Sequence, residues 1–540
     1  MSRSLNRWLW SLILLLPVIV LYVAEYQSGD GTAFTGFIQY DQPLYMANAR
    51  SFFDGHFHLF YNNPFSADPG TPRIYFQPHL FLLGAILALT GCDPGTLYVI
   101  FGFIAALICV RVAIALYEEI AGLDRKSSWL GLILFLWGGG VFTIAGAVYH
   151  RLSGNPPQDY TSDLFHFDPF GGWWFLNLGR NLIFPTEAYY HAVALGTILL
   201  AIRSRFLGAL ILAGLISMSH PFTGVQFLLI LLAWCWIERF FVKSRIVPNW
   251  FFGGLAVLLA WHLFYYMVFL NQFPEQLAIS QHYALAWVAR ASAFIPADLL
   301  VGLMAAWAMR TLPFAQELFS SPVNRLLLAW FGVSFALGHH DFAFDPMQPI
   351  HFLRGYTWMP LFLLGVQPLL RLFDWAERLE SVVLRALVVS SVMFIGLLDN
   401  VTWMGFYIQK AFLAGRGQVV QPDGFRLKAT DRELHAWLKQ RPGPHEELLL
   451  TADPESPLVY MGIVYAGYRG WYGHSANAPF ALKRRQEVLD FFRDGTAPQE
   501  WKGRTLFLIT DKHAPPAGHE FDVPVIYENE DYRVQEMVVR

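Results

Sequence analysis

The sequence YDQPLYMANARSFFDGHF at residues 40–57 follows the first long apolar run of the chain and gathers acids, amides, an arginine and a histidine. Its apolar positions fit one side of a helix that lies at a membrane interface. A carboxylate in such a place, here Asp41, can act as a general base or bind a ligand. The alternative role for Asp41 is an N-cap, because Asp followed closely by Pro43 is an ordinary helix start.

The composition indicates a polytopic membrane protein. Of the 540 residues, 55% are hydrophobic and only 15% are charged, whereas soluble chains carry about 25% charged residues. The formal net charge of -3 argues against a nucleic-acid partner. Three cysteines, Cys92, Cys109 and Cys235, lie in or beside apolar runs, which indicates packing residues rather than a disulfide framework or a metal site.

The N-terminal 26 residues resemble a signal peptide at first, with Arg3 and Arg7 ahead of an apolar core. They contain no small-x-small cleavage site, and Trp8, Trp10 and Tyr22 bracket the core as interfacial anchors. We therefore predict an uncleaved first span with the N-terminus in the cytoplasm.

A long polar loop at residues 25–73 follows this span, and loops of that length are usually functional. Further apolar runs cover residues 75–90, 96–117, 129–148, 186–202, 206–218, 222–237, 250–270, 296–309, 326–337, 352–370 and 382–406. Basic residues in the short connections place the N-terminus inside and the tail outside, which requires an odd number of crossings. We predict about 11 spans, with the 75–90 run crossing incompletely.

The tail gains charge and turn residues from residue 409 onward, which predicts a transmembrane domain at 1–408 and a small extracytoplasmic α/β domain at 409–540. LLLTAD (448–453) and TLFLITD (505–511) are typical of buried strands, and 430–439 and 481–495 of amphipathic helices. Strand, helix and strand in this order favour an α/β layer. The cluster YAGYRGWYGHSAN has no carboxylate beside it, so we expect the tail to cover a site rather than perform chemistry.

Charged and aromatic residues gather in the outer loops, where they suit a lipid with a charged head. Arginine matches phosphate oxygens with a planar fork, and tryptophan and tyrosine faces suit a sugar ring. The residues predicted to bind the donor phosphate or sugar are Arg354, Arg180, Arg73, His351, Glu187, His191, Trp173, Trp174 and Tyr189. The alternative is that the arginines snorkel to lipid headgroups and the aromatic residues form an interfacial belt.

Histidines stand near carboxylates in two of these loops, so a divalent cation is possible. Its ligands would be Asp41, His166 and Asp168. Their spacing matches no strong ligand pattern, and histidine is an uncommon first choice for magnesium or manganese. Because arginine supplies the same positive charge, we predict no cofactor and a metal-independent transfer.

The chain resembles membrane glycosyltransferases of the GT-C superfamily that use polyprenyl-phosphate sugars. The resemblance rests on the first span, the outer-loop acid in YDQPLYMANAR, the segment RIYFQPHLFLLGAI at 73–86, the further spans and a C-terminal domain outside. It implies that Asp41 is the catalytic base or a metal-coordinating carboxylate. The second loop has SDLFHFD instead of a plain DxD, and the tail has no WWDYG-type motif, so an oligosaccharyltransferase identity is not expected.

The predicted function is transfer of a hexose or pentose from a polyprenyl-phosphate (lipid-linked) donor to a lipid, glycan or protein acceptor. Transfer would occur on the extracytoplasmic face of a bacterial inner (plasma) membrane, as part of building a cell-envelope glycan, with Asp41 as general base. The partners are then the donor, the acceptor and membrane lipids, and no nucleic acid. A lipid or small-molecule transporter or flippase and a non-catalytic membrane scaffold are the alternatives.

Overall fold

The computed structural model describes residues 3–27, 31–68, 70–168, 177–282, 287–311, 320–416, 426–441, 447–514 and 518–540. The chain forms two compact units. The helical unit comprises Met1–Val23, Phe101–Phe264 and Ala284–Lys410. The loop-tail unit comprises Ala24–Ile100, Tyr265–Tyr283 and Ala411–Arg540. The domain boundary between residues 408 and 409 stays a prediction. In the structure the tail and the first loop belong to the same compact unit.

Most of the described chain is helical. The first helices are α1 (Arg3–Leu14), α2 (Leu16–Tyr26), α3 (Gln42–Ser51), α4 (Pro78–Thr90), α5 (Pro94–Ala121), α6 (Lys126–Trp137), α7 (Phe142–Ser153), α8 (Ser162–Phe165), α9 (Leu178–Asn181) and α10 (Pro185–Ile202). They are followed by α11 (Phe206–Ser219), α12 (Pro221–Trp236), α13 (Asn249–Leu263), α14 (Pro274–His282), α15 (Ala291–Thr311), α16 (Pro322–Gly338), α17 (Trp358–Glu377) and α18 (Val382–Ala414). The tail contributes α19 (Ala429–Gln440), α20 (Pro457–Ala466) and α21 (Ala481–Asp494).

Several helices have the length and composition of membrane spans. Within the described ranges, five qualify alone: Pro94–Ala121, Pro221–Phe241, Asn249–Gln272, Ala291–Arg310 and Val382–Ala414. Two bent pairs raise the number to 7, α1 with α2 at 50° and α6 with α7 at 68°. The described chain is therefore mostly helical with several helices apolar and long enough to cross a membrane, whereas a total of about 11 spans stays a prediction.

Helix α4 corresponds to the run at 75–90 that is predicted to cross incompletely. It has 13 residues, which at a rise of 1.5 Å per residue gives a length of about 20 Å. A hydrocarbon core is about 30 Å thick. Helix α4 is therefore too short to cross by itself.

Three consecutive glycines separate α6 from α7, and two side chains of α18 occupy the break. The Asp399 carboxylate accepts the backbone N–H groups of Phe142 at 2.8 Å and Thr143 at 2.9 Å. Asn400 donates to the Trp137 carbonyl oxygen at 2.7 Å. Because helix ends leave backbone groups unpaired, this acid and amide satisfy both ends of the interrupted helix.

The loop-tail unit contains β-structure. Strand β1 (Thr32–Phe34) pairs antiparallel with β2 (Arg426–Lys428). The larger sheet is formed by β3 (Leu448–Thr451), β4 (Arg469–Gly470), β5 (Thr505–Asp511), β6 (Val525–Glu528) and β7 (Tyr532–Val538), in the order β4-β3-β5-β7-β6. β3 is parallel to β4 and β5, whereas β7 is antiparallel to β5 and β6. The two strands predicted from LLLTAD and TLFLITD are β3 and β5, and they are neighbours.

Helix α3 packs tightly against α4 within this unit. Met46 and Ala49 of α3 are fully buried. A Cβ atom at Gly84 of α4 would lie 2.1 Å from the Ala49 carbonyl oxygen, so only glycine permits this approach. The packing holds the second half of α3 against α4.

Arg50 of α3 ties the first loop to the tail. Its guanidinium donates to the carbonyl oxygens of Tyr465 at 2.8 Å and Ala466 at 3.2 Å. These are the last carbonyls of α20, where the helix dipole favours a cation. The contact holds the α3 segment against the tail inside one unit.

Candidate active site

Asp41 occupies the N-cap position of α3, but its side chain forms no capping hydrogen bond. An N-cap side chain ordinarily accepts an N–H from the first turn of the helix. The Asp41 side chain is instead 50% exposed. Its carboxylate is therefore available for contacts other than capping, as the general-base prediction requires.

His474 of the tail faces this carboxylate. Its Nε2 atom lies 3.3 Å from Oδ1 of Asp41, and its side chain is 0% exposed. On the other side of the ring, Nδ1 accepts the backbone N–H groups of Ala476 at 3.1 Å and Asn477 at 3.2 Å. The histidine is thus fixed between its own loop and the acid at the start of α3.

Three aromatic rings enclose His474. Ring-centroid distances to it are 4.6 Å for Tyr40, 5.2 Å for Tyr460 and 5.4 Å for Phe65. The Tyr460 hydroxyl donates to the Tyr40 carbonyl oxygen at 2.8 Å. These contacts fix the plane of the imidazole and the backbone directly before Asp41.

Arg73, a predicted phosphate ligand, lies in the same unit. Its guanidinium donates to the Ser51 carbonyl oxygen at 3.0 Å, at the end of α3. Burial lowers the pKa of Arg73, and the nearby Asp54 carboxylate opposes that shift. The observed contact is structural, and phosphate binding by Arg73 stays a prediction.

Other predicted residues meet in the helical unit, around Arg354. Its guanidinium is in direct contact with the Glu187 carboxylate. The Arg354 Nη2 atom lies 2.5 Å from Nδ1 of His351. Glu187 lies in the first turn of α10, where the helix dipole stabilises a negative charge. Three residues predicted separately from two outer loops are therefore neighbours.

His191 follows Glu187 by one turn of α10 and joins the same cluster. It is fully buried, with Nδ1 2.8 Å from the Glu187 carbonyl oxygen and Nε2 3.0 Å from the Arg354 carbonyl oxygen. Its ring stacks on Tyr356 at a centroid distance of 4.7 Å. The Tyr189 hydroxyl contacts Oγ of Ser219 at 3.3 Å instead.

The predicted phosphate ligand Arg180 and the alternative metal ligand Asp168 bind each other. The ion pair joins Nη1 of Arg180 to Oδ2 of Asp168 at 3.1 Å, and both side chains are buried. Arg180 also donates from Nε to Oδ1 of Asn400 at 2.5 Å and lies over the Trp403 ring. Burial raises the pKa of Asp168 to about 7, although the Arg180 charge opposes the shift.

A small cavity adjoins this pair. Its lining includes Arg180, Asn177, Asn400 and Asp298, together with two glycines of the break between α6 and α7. The cavity is therefore lined in part by polar and charged side chains.

The third alternative metal ligand, His166, is exposed and stacks on Tyr149 at a centroid distance of 4.0 Å. Within the part of the chain that the structure describes, no group of three or more His, Cys, Asp or Glu side chains is placed to hold a metal ion. Trp173 and Trp174, predicted to contact the sugar, lie outside the described residues.

His474 belongs to the tail cluster YAGYRGWYGHSAN, but the sequence alone did not place it at Asp41. It also missed Asn400 and Asp399, although an acid and an amide next to each other in an apolar helix are costly unless they have partners. For His474 the only signal was its position in an aromatic and glycine-rich loop.

No protein-family model matches this chain, and no curated protein sequence does. It is similar to the oligosaccharyltransferase of Archaeoglobus fulgidus crystallised with a tethered acceptor peptide, with a TM-score of 0.48, 11% identity and coverage of 93% of this chain and 69% of that chain. The apo form of that protein gives a TM-score of 0.45 at 11% identity, covering 96% and 75% of the two chains.

ArnT from Cupriavidus metallidurans in the apo state is also similar, with a TM-score of 0.44, 11% identity and coverage of 98% of this chain and 97% of that chain. An oligosaccharyltransferase and ArnT are thus among the solved structures to which this chain is similar, each at 11% identity and with a TM-score below 0.5. A likeness of this size carries no argument about activity, which depends on the residues described above.

Proposed function

We propose that the protein is an integral membrane glycosyltransferase that moves a sugar from a polyprenyl-phosphate donor to a lipid, glycan or protein acceptor. The observation that carries the proposal is the Asp41 carboxylate, which stands at the start of α3, leaves the helix uncapped and is half exposed. A general base has to be ionised and within reach of the proton that it removes. Asp41 has the exposure that this role needs.

In the proposed step, Asp41 removes the proton from an acceptor hydroxyl while that oxygen attacks the anomeric carbon of the donor sugar. The bond between this carbon and the phosphate oxygen breaks, and polyprenyl phosphate leaves with the electron pair. The products are the glycosylated acceptor, polyprenyl phosphate and a proton on Asp41 that returns to water. The chemistry needs no redox partner.

Phosphate recognition is proposed for Arg354 in the helical unit. Its guanidinium is nearly buried and already binds a carboxylate, Glu187, and carboxylate and phosphate oxygens suit the same planar fork. Arg180 is a weaker candidate because its side chain is more deeply buried and it binds Asn400 as well as Asp168. We further propose that the membrane is a bacterial inner membrane, with the N-terminus cytoplasmic and the tail outside.

A transporter or flippase is the competing class, since transporters use interrupted helices near the midplane whose ends bind substrate. The break between α6 and α7 is such an interruption. Its ends, however, are satisfied by Asp399 and Asn400, so they are not offered to a substrate. The enzyme therefore remains the better supported function.

The test is release of polyprenyl phosphate by purified protein from a panel of polyprenyl-phosphate hexoses and pentoses, with membrane lipid extract as acceptor. We expect Asp41→Asn to lower turnover roughly 10²- to 10⁴-fold, because it keeps the shape of the side chain and removes the base. Asp54→Asn is the matched control, since Asp54 is in the same segment and is 43% exposed. Near-normal turnover by Asp41→Asn would reject the base assignment.

A further inference from the structure

His474 has a defined protonation pattern. Its Nδ1 atom accepts two backbone N–H groups, from Ala476 and Asn477. Backbone N–H groups only donate, so Nδ1 carries no proton. A neutral imidazole has one N–H, and the proton is therefore on Nε2, the atom that faces Asp41.

The Nε2–H group is buried and needs an acceptor. Within the described residues it forms no aligned hydrogen bond, and Oδ1 of Asp41 lies 3.3 Å away. An unsatisfied buried donor is costly, and the half-exposed carboxylate can turn, whereas the imidazole is enclosed by Tyr40, Tyr460 and Phe65. A small rotation of the Asp41 side chain completes the bond.

We propose that His474 is a positioning residue for Asp41. Its Nε2–H binds Oδ1 and sets the direction of the carboxylate, so that Oδ2 is presented to the acceptor hydroxyl. His474 is not itself the base, because Nδ1 is occupied and Nε2 already carries a proton. The proposal rests on the proposed function, and it gives the tail a part in the chemistry rather than only a covering role.

Two substitutions separate positioning from folding. In His474→Asn the amide oxygen can replace Nδ1 as the acceptor for the backbone N–H groups, while the donor toward Asp41 is lost. In His474→Gln the longer side chain can return an N–H group to the position of Nε2. Both variants retain a polar side chain in the aromatic enclosure.

The measurement is steady-state release of polyprenyl phosphate, with the donor from the panel that wild-type protein uses best. We expect His474→Asn to lower kcat roughly 10- to 100-fold, as for loss of a hydrogen bond to a charged group, with KM and thermal stability almost unchanged. His474→Gln should recover part of kcat. The double variant with Asp41→Asn should be no slower than Asp41→Asn alone, since both changes remove one function.

The outcomes distinguish this inference from the proposed function. If Asp41→Asn is inactive but His474→Asn keeps wild-type kcat, positioning is wrong and the base assignment stands. If the effects of the two single variants multiply in the double variant, or follow the loss of folded protein, His474 is only structural. If Asp41→Asn itself retains turnover, the proposed function fails first.

Discussion

Arg354 and Glu187 form an ion pair in the helical unit, with side chains only 9% and 14% exposed. Removing two charges from water is costly unless each is paired, so the pair stabilises both groups. A phosphate that binds Arg354 must therefore compete with Glu187 or share the guanidinium with it. A residue that only anchors lipid headgroups would not require such a partner.

Arg354→Lys is expected to weaken donor binding about tenfold. Lysine retains the charge but loses the planar fork that matches phosphate oxygens, and tenfold corresponds to about 1.4 kcal/mol. The measurement is titration of purified protein with a lipid-linked donor. Arg371→Lys is the control, because Arg371 is exposed on α17. Equal affinities for the wild-type and Arg354→Lys proteins would leave Arg354 as a headgroup anchor.

Stability of the helical unit is expected to fall in mild acid because of His351. Burial, together with the positive charge of Arg354 and the proximity of His220, lowers the pKa of His351 well below the usual 6.5. In the unfolded chain His351 therefore binds a proton near pH 6.5, whereas in the folded protein it stays neutral at that pH. The contribution of neutral His351 to the free energy of unfolding is therefore complete above pH 6.5. It decreases as the pH falls below 6.5, by at most about 1.4 kcal/mol per pH unit.

Thermal unfolding in detergent at pH 7.5, 6.5 and 5.5 tests this expectation. His351→Asn can still accept from Arg354 but does not titrate, so its unfolding temperature should depend less on pH than that of the wild type. His166→Asn, which changes an exposed histidine, is the control substitution. A His351→Asn protein with the full wild-type dependence would show that another group is responsible.

The break between α6 and α7 depends on Asp399. Asp399→Ala removes the acceptor of two N–H groups at the start of α7 and should lower stability by about 1–3 kcal/mol, as for buried groups left unsatisfied. Asp399→Asn keeps one acceptor oxygen and should lose less. Unfolding temperatures measured in detergent should be highest for the wild type, lower for Asp399→Asn and lowest for Asp399→Ala. Equal stability of Asp399→Ala and wild type would mean that water replaces the carboxylate.

Local elements follow from local sequence, whereas the pairing of functional residues does not. The helix start beside Pro43 and the strands β3 and β5 agree with their patterns because propensity and apolar spacing act over a few residues. Asp41 and His474 come from opposite ends of the chain, and nothing near either residue specifies the other.

Charged residues were easier to find than to pair. Arg180 and Asp168 were each predicted to bind a ligand, as phosphate ligand and as metal ligand, and the structure shows them bound to each other. A single charged residue in the sequence shows only that its burial in an apolar environment would be costly without a partner. Which opposite charge compensates it is decided by tertiary packing.

Metal dependence is the last prediction. A cation would offset the charge of a phosphate leaving group, but arginine can supply the same positive charge without a metal, and Arg354 is placed next to a carboxylate whose position a phosphate can take. We therefore expect turnover in EDTA to equal turnover in added magnesium or manganese. Activity that disappears in EDTA and returns with either ion would reverse the prediction. In that case Asp41→Asn should abolish metal binding measured by calorimetry, whereas Asp54→Asn should not, and Asp41 would be a ligand rather than the base.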